Sequence, residues 1–192
     1  RGVKNINKKQ ALAAIGQVKL MDEYNKELAA RGRVAGQILL TRDDIEDRTR
    51  YVNARHTIEA LWEMEVLPII NENDTVSIDE IKFGDNDNLS ARVAALLGAD
   101  MLLILSNVDG FLIDGQVVPE IRDIGKDILQ HVKRPASAFT HGGMDSKLEA
   151  ISIAMRAGMR VVLANGRADD VIFRAVRGEA VGTLFHPGKK IS

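Results

Sequence analysis

The strongest constraint on this chain is that short β-rich apolar runs alternate with longer segments whose apolar residues recur at helical spacing. Over residues 8–30, Leu12, Ile15, Leu20, Tyr24 and Leu28 predict a helix, and Gly32 stops it. Residues 34–40 predict a short buried strand. Asp43, Asp44 and Asp47 then suit a helix start, and the spacing predicts one helix over 45–64. A second β-rich run covers 66–70, where Pro68 points to an edge or irregular strand. Further helices are predicted over 89–97, 144–157 and 169–177, and further strands over 101–105, 160–164 and 183–185. Asp114-Gly115 breaks residues 111–118 into a small hairpin, and 135–143 read as an irregular, mobile loop. Such alternation predicts an α/β fold. The expected form is a three-layer αβα sandwich around a largely parallel central sheet with right-handed crossovers, in one domain over 1–192.

Composition removes several classes of function. The 192 residues carry a net charge of −1 with both signs interspersed, and aromatics are only 4%. A nucleic-acid binder would show a basic stripe or stacking aromatics, so no nucleic-acid partner is expected. No apolar run reaches the length of a membrane span and no signal-peptide pattern opens the chain, so no membrane partner is expected. Cysteine is absent, which excludes disulfides and thiol catalysis and is compatible with a cytoplasmic protein. The chain opens at Arg1 without an initiator Met, so an N-terminally incomplete domain is expected.

Ligands of open α/β sheets bind beyond the carboxyl ends of the strands. Three polar stretches fall at such ends: Asn71-Glu72-Asn73-Asp74 with the nearby Gly84-Asp85-Asn86-Asp87-Asn88, then Ser106-Asn107, then Thr140-His141-Gly142-Gly143-Met144-Asp145-Ser146-Lys147. In the last, paired glycines before a helix let the backbone approach a phosphate, and Lys147 stands near the first turn. The plainer reading is a Gly-rich turn with a surface lysine, and the spacing is not that of a P-loop. The amides and carboxylates of the first stretch could hold an amino acid, carboxylates taking its ammonium and amide nitrogens its carboxylate. Alternatively they form Asx turns and a helix cap, a role that suits Asn88 in particular. The spacing lacks a calcium-loop pattern, so no metal ligands are assigned. His56 and His131 read as surface or half-buried residues on helices, His186 as a tail residue and Trp62 as core. The charged run 42–50 reads as a solvated helix face.

In combination and order, several motifs resemble the glutamate 5-kinases of the amino acid kinase family. They are Ile70-Asn71-Glu72-Asn73-Asp74, Phe83 through Ala91, the Ser106–Gly110 turn, Gly142-Gly143-Met144 with Lys147, and Val181-Gly182-Thr183-Leu184-Phe185-His186. The opening Gln10 through Gln17 and Leu39-Leu40-Thr41 are similar as well, so the resemblance spans essentially the whole chain. It implies ATP-dependent phosphorylation of the γ-carboxylate of L-glutamate, the first step of proline synthesis. Asn71, Asp74 and Asn86 would contact glutamate, with Asp87 organising the transferring phosphoryl group and Lys147 neutralising it. Ser106 and Asn107 would lie at the adenine nucleotide, and His141, Gly142, Gly143, Met144, Asp145, Ser146 and Lys147 would cover its phosphates. ATP and Mg2+ are the implied cofactors, proline a possible feedback inhibitor, and a homo-oligomer, dimer or tetramer, the implied assembly.

The chain departs from the family pattern in three places. Family members usually carry Asp at the position of Asn107, which loses a charge at the nucleotide. The family's opening strand with a phosphate-contacting lysine and its Ser-Ser-Gly segment are missing, so this polypeptide alone is expected to be catalytically crippled. The C-terminal accessory domain of the RNA-modification type is expected to be absent too. Two other readings stand beside the kinase: a non-catalytic amino-acid-binding regulatory fragment, or an acetylglutamate or uridylate kinase type of the same fold.

Overall fold

The computed structural model describes residues 6–76, 86–132 and 143–188. The chain divides into two compact units, Arg1–Phe83 and Gly84–Ser192. In the first, helix α1 (Ile6–Ala29) leads into strand β1 (Val34–Leu40), followed by α2 (Arg42–Glu46), α3 (Arg48–Glu63) and β2 (Val66–Glu72). β1 and β2 pair in parallel over their full length, Gly36 opposite Pro68 and Leu39 opposite Asn71. Pro68 therefore sits in a regular strand. It is tolerated because β2 has only one partner among the described residues, so its missing N–H need not face a ladder.

The helix expected over 45–64 is two helices, because Asp47 leaves helical conformation (φ −79°, ψ 123°) and caps α3 by accepting from the Arg50 N–H at 2.9 Å. Thr41 and Asp44 cap each other reciprocally at the start of α2. Burial pushes the Asp44 carboxyl up, but donors from the Thr41 hydroxyl and backbone N–H, both at 2.7 Å, and from Arg50 outweigh it and hold the group below its ordinary value. The charged run contributes an exposed ion pair, Arg42 with Glu46, and Arg55 with Glu59 forms another further along α3. Trp62 is not core: it stands half exposed at the end of α3, beside Leu28, Val66 and Leu67. A sheet of two strands offers too narrow a face to cover a 24-residue helix. Leu12, Ile15 and Val18 accordingly remain exposed while Met21 is buried.

The second unit holds a mixed sheet in the order β3 (Met101–Ser106), β7 (Arg160–Asn165), β8 (Thr183–Phe185), β6 (Glu120–Ile121). β3 is parallel to β7 and β6 to β8, whereas β8 runs antiparallel to β7. Between β3 and β6 lies the expected hairpin, β4 (Leu112–Ile113) and β5 (Gln116–Val117). Its turn residues Asp114 and Gly115 both adopt positive φ. α4 (Asn86–Leu97), α5 (Lys126–Leu129), α6 (Met144–Arg156) and α7 (Val171–Val176) complete the unit. The alternation along β7 sets the layers. Val161 and Leu163 pack with Ala91, Leu148, Ile151 and Phe185 on the α4–α6 side, while Val162 and Ala164 meet Val171 and Ala175 of α7.

Thr183 fastens this sheet to the hairpin. Fully buried, its hydroxyl accepts from the Phe111 N–H at 2.8 Å and donates to the Val118 carbonyl at 2.7 Å. Beside it Gly182 (φ +100°) lies so close to the Leu163 carbonyl oxygen that a Cβ would run into it.

Two outcomes follow. Thr183→Val, nearly isosteric, orphans a buried N–H and lowers stability by about 1–3 kcal/mol in urea titrations, whereas Thr183→Ser retains most of it. Because the Asp44 carboxyl is depressed on folding, its contribution is present above the unfolded value of 3.8 and is lost as pH falls through the lower folded value. Asp44→Asn should therefore lose stability at neutral pH and show a shallower decline than the parent in acid.

Candidate functional site

The amino ends of α4 and α6 meet through side chains. Buried small residues, Ala91 and Ala94 on α4 with Ala150 and Ala154 on α6, let the two helices approach closely. Asp87 occupies the first turn of α4, where the helix dipole favours an anion, and the Ser90 hydroxyl donates to its carbonyl at 2.7 Å. α6 begins after Gly143, whose carbonyl accepts from the Lys147 N–H at 3.2 Å and from the Ser146 hydroxyl at 2.9 Å. The Lys147 ammonium then donates to the Asp87 carboxylate at 2.7 Å, with side chains only 12% and 19% exposed. The carboxylate fixes where the ammonium sits.

Asn88 is not the cap of this helix. α4 starts at Asn86, which puts Asn88 inside the first turn, buried, with its amide donating to Glu149 of α6 at 3.5 Å. It forms a second, longer tie between the helices joined by Asp87 and Lys147.

A second part of the site lies at the carboxyl ends of β3 and β7. Ser106 and Asn165 are register partners, and the Gly166 N–H donates to the Ser106 carbonyl at 2.8 Å. The Asn165 amide donates to Asp109 at 2.7 Å and accepts from the Arg167 N–H at 3.0 Å, bracing the turn after β3. Ser106 donates to the Asn107 side chain at 3.4 Å. Next to this edge is a groove of about 600 Å³ whose walls include Val108, Phe111, Leu112, His131 and Met144. Its volume is within the range of small-molecule sites, roughly 300–1,000 Å³, and Val108 in its wall follows the end of β3 by two residues.

In the first unit, Asn71 and Asp74 line a smaller pocket of about 220 Å³ together with Gln17 and Leu39. The Asn71 amide donates to the Gln17 side chain at 2.9 Å.

Of the residues expected from sequence, Asp87 and Lys147 are in direct contact. Asn71 and Asp74 share one pocket, and Asn86 opens α4. Ser106 and Asn107 stand at the end of β3, and Gly143, Met144, Asp145 and Ser146 at the start of α6. His141 and Gly142 lie outside the described residues, as does the loop over 135–142. Sequence reasoning missed Gln17, which no periodicity marks. It also missed the Asn165–Asp109 bridge, although Asn165 directly follows a predicted strand and the rule that selected Ser106 applies to it equally. His131 is in the turn after α5 and not on a helix, and His186 pairs with Glu120 at 2.9 Å. Among the described residues no group of acidic or histidine side chains is arranged to hold a metal, and no helix is long and apolar enough to cross a membrane.

Comparison with known proteins gives concordant results. Residues 2–165 match the model of the amino acid kinase family. Glutamate 5-kinase from Carboxydothermus hydrogenoformans is 45% identical over 195 residues, covering 97% of this chain and 52% of that protein. Glutamate 5-kinase from Proteus mirabilis is 46% identical, covering 94% of this chain and 51% of its own length. The chain thus spans about half the length of the curated relatives it matches. Among solved structures, UMP kinase from Ureaplasma parvum superimposes with a TM-score of 0.61 at 13% identity, covering 95% of this chain and 72% of that one. N-acetylglutamate synthase from Neisseria gonorrhoeae gives 0.51 at 17% identity, over 69% and 30%.

The Asp87–Lys147 pair generates a measurable coupling. Lys147→Ala and Asp87→Ala each remove one member of a contact between two mostly buried charges, so the double substitution should cost less than the sum of the singles. The difference expected from denaturant titrations is about 1–3 kcal/mol.

Proposed function

Because the chain belongs to the amino acid kinase family, and its relatives at about 45% identity are glutamate 5-kinases, we propose that it phosphorylates the γ-carboxylate of L-glutamate with ATP. This is the first step of proline synthesis. The observation that carries the reading is Lys147, held by Asp87 at 2.7 Å at the start of α6.

The chemistry needs such a lysine. A γ-carboxylate has an unperturbed pKa of about 4.3 and is already ionised at neutral pH, so no general base is required. What opposes the reaction is repulsion between an anionic nucleophile and anionic phosphates. A preorganised cation lowers that repulsion most where charge builds up on the transferring group. In this reading Lys147 supplies the cation, and Asp87 orients it without taking a proton. The amino end of α6 adds free N–H groups suited to phosphate oxygens. The groove beside Ser106, Asn107 and Met144 accepts the nucleotide, and the loop containing His141 and Gly142 belongs to the same proposal. Asn71, Asp74 and Asn86 bind glutamate through amides and carboxylates. Magnesium enters with ATP as part of the substrate complex, its charge further neutralising the phosphates. The proposal includes what the resemblance read from the sequence implies: feedback by proline, a homo-oligomeric assembly, dimer or tetramer, and a cytoplasmic location.

The test is a substrate panel on the full-length gene product, comparing glutamate, acetylglutamate, aspartate and uridylate with ATP. ADP release should depend on glutamate. Lys147→Met should lower kcat by roughly 10²–10³, the range for loss of one transition-state charge contact, with a smaller change in KM for glutamate. ADP release driven by uridylate or acetylglutamate and not by glutamate would overturn the proposal.

A further inference from the structure

The pocket of the first unit has a construction that the kinase reading leaves unexplained. Ala13, Gly16, Gln17 and Leu20 of α1 line it together with Asn71, Glu72, Asn73 and Asp74. The four α1 residues recur at the spacing of one helix face, the spacing that ordinarily carries large apolar side chains against a sheet. Here two of the four are the smallest residues available and one is an amide. The result is a cavity of about 220 Å³ where packed side chains would be expected. Gly16 is not dictated by crowding: a Cβ built there meets nothing within 4 Å. Glycine in a helix interior is unfavourable relative to alanine, so its presence calls for a reason other than the fold. Open space beside Gln17 is such a reason.

Gln17 itself connects three elements. Its carbonyl oxygen accepts from the Asn71 amide on β2 at 2.9 Å, and its own amide donates to the Gln37 side chain on β1 at 3.2 Å. Register places Gln37 opposite Ile69 and Leu39 opposite Asn71, so Gln37 and Asn71 lie on one face of the sheet. An asparagine amide is nearly symmetric in shape but not in chemistry: one end donates and the other accepts. To recognise an amino acid it must be held one way round. Gln17 does this by taking the donor end of Asn71, while Gln37 fixes Gln17 in turn.

We propose that Gln17 is a positioning residue for amino-acid recognition, acting through Asn71, and that Gly16 keeps the adjoining space open for the substrate. This rests on the reading of the pocket as the glutamate site. It assigns roles to residues that need not touch the reacting atoms.

The experiment uses the full-length gene product, with glutamate as the probe, read by steady-state kinetics and by calorimetric binding. Gln17→Met keeps the side-chain volume and removes both hydrogen bonds. It should raise KM and Kd for glutamate on the order of tenfold, with a smaller change in kcat and an unchanged KM for ATP. Introduced into an Asn71→Ala background, the same substitution should add almost nothing, because the group it positions is gone. Gly16→Ala should raise Tm, as its helix propensity dictates, yet weaken glutamate binding. Unchanged glutamate affinity in Gln17→Met, or effects of Gln17→Met and Asn71→Ala that multiply in full, would overturn the role of Gln17. A Gly16→Ala protein that is more stable and binds glutamate as before would overturn the role of Gly16. Failure of the unsubstituted protein to bind or phosphorylate glutamate would sink the underlying reading along with both.

Discussion

A lysine ammonium with little access to water needs a carboxylate in a fixed place, and most of the second unit serves to supply one. Asp87 and Lys147 are 60 residues apart in sequence and 2.7 Å apart in space. Bringing them together requires α4 and α6 to lie side by side, which the buried alanines at their contact allow. It also requires both helices to start at the same end of the sheet, which the parallel pairing of β3 with β7 provides. The pair is not chiefly a stabilising device, since the cost of desolvating two charges offsets much of their attraction. What the pair does in geometry is hold a cation at one point, the feature on which the proposed reaction between two anions would draw.

The same economy appears at the strand ends. Asn165 braces Asp109 and the backbone of Arg167, Thr183 ties Phe111 and Val118 to β8, and Gly182 admits the Leu163 carbonyl that any larger residue would exclude. The Thr183 contact with Phe111 reaches the wall of the groove, and the others brace the segments next to it. None carries chemistry of its own. A sheet whose interior is aliphatic can thus present a polar rim: Asn165 at the end of β7 and Thr183 at the start of β8 are small side chains that hydrogen-bond to backbone groups of neighbouring segments.

Much of this was legible in the sequence because the signals were local. Val34–Leu40 was bounded correctly as a strand by its short β-rich run, and Asp114-Gly115 marked the hairpin because both residues tolerate positive φ. The glycine preceding α6 marked that helix start, while α4, expected from Leu89, begins three residues earlier at Asn86. Local signals failed where a partner decides the outcome. Asn88 reads as a cap by composition, yet contact with Glu149 accompanies its place inside the helix. Trp62 reads as core by hydrophobicity, but a two-stranded sheet leaves nothing large enough to cover it among the described residues. The short β6 and α5 have too few residues to show any period.

Gln17 is the sharpest case of that limit, and it indicates what kind of residue sequence reading overlooks. A glutamine on a helix with exposed neighbours carries no signal, because its usual role is solvation. Only the register of β1 against β2 reveals that Gln37 and Asn71 share the face α1 lies on, and only then does the amide between them become a link. The reacting groups of a site are often recognisable by type, since charge and nucleophilicity belong to few side chains. The groups that orient them need only a hydrogen bond in the right direction, which many side chains provide. Orientation is therefore written in the fold and not in the composition, and for that reason the pocket beside Gln17 was harder to read than the lysine that meets Asp87.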